Sequence, residues 1–132
     1  MSTDNTEQRV MKKVFIVDDN ETNLITAKET LQKNYMVLCM VDADRMFQLL
    51  EKMTPDLILL DIEMPVLNGL DALRLIRGSK EERIKNLKVI FLTSHASGDN
   101  IKIAAENHAD GFMVKPFVPS DLRLKVAQMI GQ

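Results

Sequence analysis

One cysteine, Cys39, stands among 132 residues, so no intramolecular disulfide can form; this fits a reducing cytoplasm. No apolar run approaches the roughly 20 residues that a helix needs to span a bilayer. The first residues, Met1-Ser2-Thr3-Asp4-Asn5, are polar and lack the apolar stretch of a signal peptide. An excess of one charge is also missing: the net charge is -2 and the pI about 5.7. A duplex-DNA binder that neutralises phosphates is usually basic, so direct nucleic-acid binding is not expected. Neither an internal repeat nor a low-complexity tract is present. What remains is 45% hydrophobic and 27% charged residues, the balance of one soluble globular domain. A chain of this length hides roughly two thirds of its unfolded surface, enough for a real core. Residues 1–11 read as a flexible tail and residues 12–132 as the domain.

Along the chain, short apolar runs alternate with longer segments of helical period. Val14-Phe15-Ile16-Val17 ends abruptly in Asp18-Asp19-Asn20. Asn20 is placed to cap a helix through Leu24, Ile25, Ala27 and Leu31. Residues 35–41 predict a second strand, and Asp42 or Asp44 caps a helix carrying Met46, Leu49, Leu50 and Met53. Leu57-Ile58-Leu59-Leu60 is a third strand ended by Asp61, and a helix through Leu70, Leu73, Leu75 and Ile76 stops at Gly78. The charged residues 79–85 are either an extra helical turn or a solvated loop. Val89-Ile90-Phe91-Leu92 leads into Thr93-Ser94, and a more polar, weaker helix runs through Ile101, Ile103, Ala104 and Ala105. Gly111-Phe112-Met113-Val114 leads into Lys115-Pro116, and a last helix over residues 120–130 takes Ser120 as its cap. Cys39 is expected to be a small buried hydrophobe, His108 a surface helix residue, and the nine methionines core filling.

Strands this apolar must be covered on both faces, which points to an α/β fold with a doubly wound, five-stranded parallel sheet of order 2-1-3-4-5, flavodoxin-like, in three layers. Ligands of such sheets bind beyond the carboxyl ends of the strands. Those ends carry Asp18, Asp19, Asp61, Thr93, Ser94 and Lys115. Three clustered carboxylates stay ionised together only around a cation, and hard oxygen donors favour Mg2+ or Mn2+. A cation, an ammonium and a hydroxyl can each take one oxygen of a transferring phosphoryl group, and a central carboxylate can act as nucleophile.

Four segments, in order and in strand–loop context, resemble the receiver domains of two-component response regulators. They are Val14-Phe15-Ile16-Val17-Asp18-Asp19-Asn20, Leu57-Ile58-Leu59-Leu60-Asp61-Ile62-Glu63-Met64-Pro65-Val66-Leu67-Asn68-Gly69-Leu70, Leu92-Thr93-Ser94 and Met113-Val114-Lys115-Pro116-Phe117. The resemblance covers about residues 13–130 and is similar to the small stand-alone receivers of chemotaxis and sporulation. It implies that Asp61 is the phosphoacceptor and that Asp18, Asp19, Asp61 and the backbone carbonyl of Glu63 hold Mg2+ (or Mn2+). Thr93, with Ser94 beside it, is implied as the switch hydroxyl, Lys115 as the phosphoryl-oxygen partner, and Phe112 as the switch aromatic. Pro116 would follow a cis peptide bond. Glu63 and His95, each two residues beyond a central site residue, would sit at the rim and modulate access.

The implied partners are a sensor histidine kinase or a histidine phosphotransfer protein upstream, and a protein target or output domain downstream. No membrane partner is expected. The implied moving surface comprises the helix around Ile101, the fifth strand and the last helix, a face that also serves phosphorylation-dependent dimers. Such a protein is not a classical enzyme, although it catalyses its own phosphorylation and slow dephosphorylation. Two other classes remain open. A hydrolase of the haloacid dehalogenase type also uses a strand-end Asp and Mg2+, but its second Asp would fall at Glu63, and the Asp18-Asp19 pair would be unexplained. A docking module working without phosphorylation would have no need of the full acidic set.

Overall fold

The computed structural model describes residues 11–64, 67–94 and 98–131. Five strands form one sheet: β1 (Lys13–Val17), β2 (Met36–Met40), β3 (Leu57–Asp61), β4 (Val89–Thr93) and β5 (Gly111–Val114). Their order is β2-β1-β3-β4-β5, and every neighbouring pair is parallel. The helices are α1 (Glu21–Leu31), α2 (Ala43–Leu50), α3 (Gly69–Arg77), α4 (Glu82–Lys85), α5 (Gly98–Glu106) and α6 (Pro119–Ile130).

Successive strand side chains point to opposite faces, and here both faces are dry. Phe15, Val17, Ile58, Leu60, Val89 and Phe91 pack with Met46 and Leu50 of α2, Ala72, Leu73 and Ile76 of α3, and Ala104 of α5. Val14, Ile16, Leu57, Leu59, Ile90 and Leu92 pack on the other face with Leu24, Ala27 and Leu31 of α1 and Leu122 and Val126 of α6. Each fully buried aliphatic side chain contributes about 1.5–3 kcal/mol, so the three central strands anchor the fold.

The helix starts follow the capping logic of the sequence. Asn20 Oδ1 accepts from the amides of Thr22 (2.9 Å) and Asn23 (3.3 Å). Asp42, rather than Asp44, caps α2 through Arg45 N at 2.8 Å, and Asn68 caps α3 through Asp71 N at 2.9 Å. Gly78 is the C-cap of α3. The charged stretch after it forms the single helical turn α4, pinned by buried Ile84.

Three expectations are corrected. Ser120 does not cap the last helix: α6 starts at Pro119 after Val118, with no side-chain cap bond. Proline's missing N–H costs nothing in a first turn, and its fixed φ suits one. His108 is exposed but lies beyond α5, with φ of 63°. It occupies the left-handed position of a Schellman ending, in which Ala109 N bonds Ala104 O at 3.0 Å and His108 N bonds Ala105 O at 3.2 Å. Cys39 is exposed, because β2 is the sheet's edge and α1 covers it incompletely. Its Sγ lies 3.8 Å from Leu24 O.

Arg77, at the end of α3, ties the far side together. Its guanidinium donates to the carbonyls of Lys85, Leu87 and His108 and to Asp110 Oδ2, at 2.7–3.2 Å. Asp110 Oδ2 also accepts from Val89 N at 2.8 Å, so one cation braces the ends of α3, α4 and α5 against the start of β4.

Candidate functional site

In a parallel sheet all strands finish at one edge, and the chain turns in opposite directions after β1 and β3, leaving a crevice between them. Asp18 and Asp19 follow β1, and Asp61 ends β3. Carboxylate oxygens of the three lie within 4.8 Å of one another. Asp18 and Asp61 are 0% exposed, whereas Asp19 opens to solvent.

Local backbone geometry aims the two buried acids. Asn20 N donates to Asp18 Oδ1 at 2.9 Å, and Asn23 Nδ2 donates to Asp18 Oδ2 at 3.1 Å. Glu63 N donates to Asp61 Oδ1 at 2.9 Å. Lys115, just beyond β5, places its Nζ 3.2 Å from Asp18 Oδ2 and 3.0 Å from Asp61 Oδ2. The second approach is an ion pair without hydrogen-bond alignment, so the buried Asp61 Oδ2 accepts no hydrogen bond among the described residues.

The charges explain one another. Burial pushes the Asp61 carboxyl up to about 6, against the pull of the Glu63 amide and Lys115, and the Asp18 carboxylate pushes the same way. Burial alone would push the Lys115 ammonium down, but Asp61 and Asp18 outweigh it and hold the proton above the ordinary lysine value. Three acids against one ammonium leave negative charge in excess, with hard oxygen donors and an unbonded buried oxygen. That donor set fits a small divalent cation such as Mg2+.

Thr93 ends β4 at 1% exposure. Its Oγ1 accepts from Asn100 Nδ2 at 3.1 Å, and its carbonyl accepts from Lys115 N at 2.7 Å. Ser94 is exposed and donates to Glu63 Oε1 at 2.9 Å. Phe112 is half-buried on β5 and packs against the cluster beneath α3 and α5. The Lys115–Pro116 peptide is cis. His95 lies outside the described residues, as do Pro65 and Val66 of the loop after β3. The structure therefore gathers Asp18, Asp19, Asp61 and Lys115 at one point. Thr93 and Ser94 stand on the adjoining strand end, with Glu63 bonded across to Ser94.

Three neighbours carry no mark in the sequence reading. Asn23 holds Asp18, and its signal is its spacing, three residues past the Asn20 cap. Asn100 holds Thr93 from the first turn of α5. Gly69 opens α3 against the back of β3, where a Cβ would stand 2.2 Å from the Asp61 carbonyl oxygen. Away from the acids, a concavity of about 560 Å³ runs along β5 and α6, lined among others by Phe112, Lys115, Val118 and Leu124.

The family model for the response regulator receiver domain matches residues 14–127. The CAI-1 autoinducer sensor kinase/phosphatase CqsS of Vibrio cholerae is 34% identical over 125 residues, 94% of this chain and 18% of that protein. Protein CcdB of Bacillus subtilis is 32% identical over 123 residues, 92% of this chain and 99% of that one. The structure of the chemotaxis response regulator CheY4 of Vibrio cholerae superposes with a TM-score of 0.83 at 27% identity, over 91% of this chain and 99% of the other. The chain spans less than a fifth of the sensor kinase it matches. Among the described residues, no helix is long and apolar enough to cross a membrane.

Proposed function

Because the chain belongs to the response regulator receiver domain family of two-component signalling, we propose that it is a phosphorylation switch with Asp61 as its phosphoacceptor. The observation that carries this is Asp61 Oδ2, buried, free of hydrogen bonds and 3.0 Å from the Lys115 ammonium. A nucleophile needs an available lone pair, and the oxyanions of its target need a cation beside them.

The donor is a phosphohistidine on a sensor histidine kinase or histidine phosphotransfer protein. Asp61 Oδ2 attacks phosphorus, the O–P bond forms as the P–N bond breaks, and the imidazole leaves with the electron pair. Lys115 receives one phosphoryl oxygen, and the Thr93 hydroxyl, with Ser94 beside it, turns toward another. Asp18, Asp19, Asp61 and the Glu63 carbonyl would hold Mg2+ (or Mn2+), which when bound supplies positive charge against the remaining oxygens. Water attack on the acyl phosphate releases phosphate and resets the switch slowly, with Glu63 governing access; His95, expected to share that role, lies outside the described residues. Phe112 follows Thr93 as the second moving side chain.

The output surface is α5, β5 and α6. It presents Ile101, Val114, Val118 and Leu124, each at least 40% exposed, beside the 560 Å³ concavity. A downstream protein, an output domain or a second copy forming a phosphorylation-dependent dimer would be received there. Residues 12–132 are the receiver unit and the setting is the cytoplasm; the tail expected over residues 1–11 lies, apart from Met11, outside the described residues.

Incubation with acetyl phosphate and intact-protein mass spectrometry tests the assignment. One phosphoryl group should appear with Mg2+, disappear with EDTA, and be absent in Asp61→Asn. Uptake by Asp61→Asn at the same site would overturn it. Multiple turnover of small phosphomonoesters would instead mark a hydrolase.

A further inference from the structure

The residues that directly follow β3 and β4 are joined beside the acidic cluster by a side-chain hydrogen bond. Ser94 Oγ, after β4, donates to Glu63 Oε1, after β3, at 2.9 Å. Glu63 is thereby held at both ends, because its own peptide N–H donates to Asp61 Oδ1 at 2.9 Å. Both residues lie outside helix and strand and are exposed; backbone bonds from Gly69 N to Ile62 O and from Ile62 N to Leu92 O, each 3.0 Å, hold the Ile62 side of the peptide, and the Ser94 bond holds Glu63 from its side chain. A hydrogen bond to a carboxylate is stronger than one between neutral groups, and this one adds a side-chain restraint to those backbone bonds.

We propose that Ser94 is a positioning residue: through Glu63 Oε1 it holds the Glu63 peptide on Asp61 Oδ1 and so keeps Oδ2 turned toward Lys115. Its use for phosphoryl acceptance rests on the function proposed above; the positioning itself does not. The same bond couples the switch to the acceptor. Ser94 adjoins Thr93, whose carbonyl is tied to Lys115 N at 2.7 Å, so movement at the end of β4 pulls on the peptide that orients Asp61.

The test is a double-mutant cycle of Ser94→Ala and Glu63→Ala on the full chain, with Ser94→Thr as the conservative variant. The first readout needs no phosphoryl donor: the proton shift and exchange protection of the Glu63 backbone amide by NMR, followed for the Ser94 variants. In Ser94→Ala that amide should lose roughly threefold or more of its protection, and Ser94→Thr should restore it. The second readout is Mg2+ affinity. It should fall roughly threefold in each single variant, with no further fall in the double variant. An unchanged Glu63 amide in Ser94→Ala, or losses of Mg2+ affinity that simply add, would overturn the proposal. A wild type that takes up no phosphoryl group while its Glu63 amide responds would overturn the proposed function and leave the positioning intact.

Discussion

Asp61 carries the tension between folding and function in a single side chain. Its carboxyl is buried and pushed up to about 6, mainly by that burial, whereas in the unfolded chain it returns to the ordinary value of 3.8. Below the lower value both states are protonated and nothing is lost. As pH rises from there the unfolded state ionises first, so stability falls until pH passes the folded value, where the loss is complete. Two units correspond to about 3 kcal/mol. Asp61→Asn removes the ionisation, so in EDTA the variant should equal wild type near pH 3 and exceed it by about 1–3 kcal/mol at pH 7.5, as urea unfolding would measure. A variant no more stable at pH 7.5 would mean that Lys115 compensates the buried charge fully. At this scale the carboxylates and Lys115 were legible, because strand ends in a parallel sheet converge by topology. Asn23 and Asn100 were not, since an asparagine in a first helical turn becomes a site residue only once the helix's rotation against the sheet is known.

Elements decide where those side chains stand. β3 delivers Asp61, and α3 begins so close behind it that only glycine fits at position 69, with 2.2 Å left for a Cβ beside a backbone carbonyl that cannot swing away. Gly69 N also bonds Ile62 O at 3.0 Å, locking the helix start to the strand end. Gly69→Ala must therefore push α3 and β3 apart. It should cost about 1–3 kcal/mol in urea unfolding and slow phosphoryl uptake from acetyl phosphate more than it lowers the amount of folded protein. A variant that loses stability but keeps the wild-type uptake rate would show that the strand end tolerates the shift. Strand positions and most caps were legible, because unbroken apolar runs and Asn or Asp before a periodic segment have one economical explanation. The start of α6 differs from the expected Ser120 cap because Pro119 is also a good starting residue, and its fixed φ opens the helix one residue earlier. The stretch that became α4 stayed open because one turn is too short to display a period, and Ile84 alone marks its buried side.

For the whole molecule, the doubly wound order was legible since strands apolar on both faces admit few other arrangements. The expected moving flank came from the family resemblance and from the polar, weak reading of the helix around Ile101; how firmly each helix is held was not legible. The structure ranks them: α1, α2, α3 and α6 each bury three or more side chains, whereas α5 buries Ala104 alone. The same helix reaches the site, with Asn100 Nδ2 on Thr93 Oγ1 at 3.1 Å. If Thr93 turns toward a phosphoryl group on Asp61, that bond must stretch or break at the least anchored of the helices longer than one turn. A weakly held element next to the switch is where a charge change of this kind shifts a local equilibrium most cheaply. Hydrogen–deuterium exchange with acetyl phosphate and Mg2+ should therefore change severalfold over residues 98–106 and along β5 and the start of α6. Amides of β1 and β3, buried from both sides, should hold their rates. Asp61→Asn should show no acetyl-phosphate-dependent change anywhere. A response confined to α1 and β2 would place the moving surface on the opposite flank and sink the link through Asn100. A response at α5 that survives Asn100→Ala would keep the surface but carry the signal through the backbone of β4 instead.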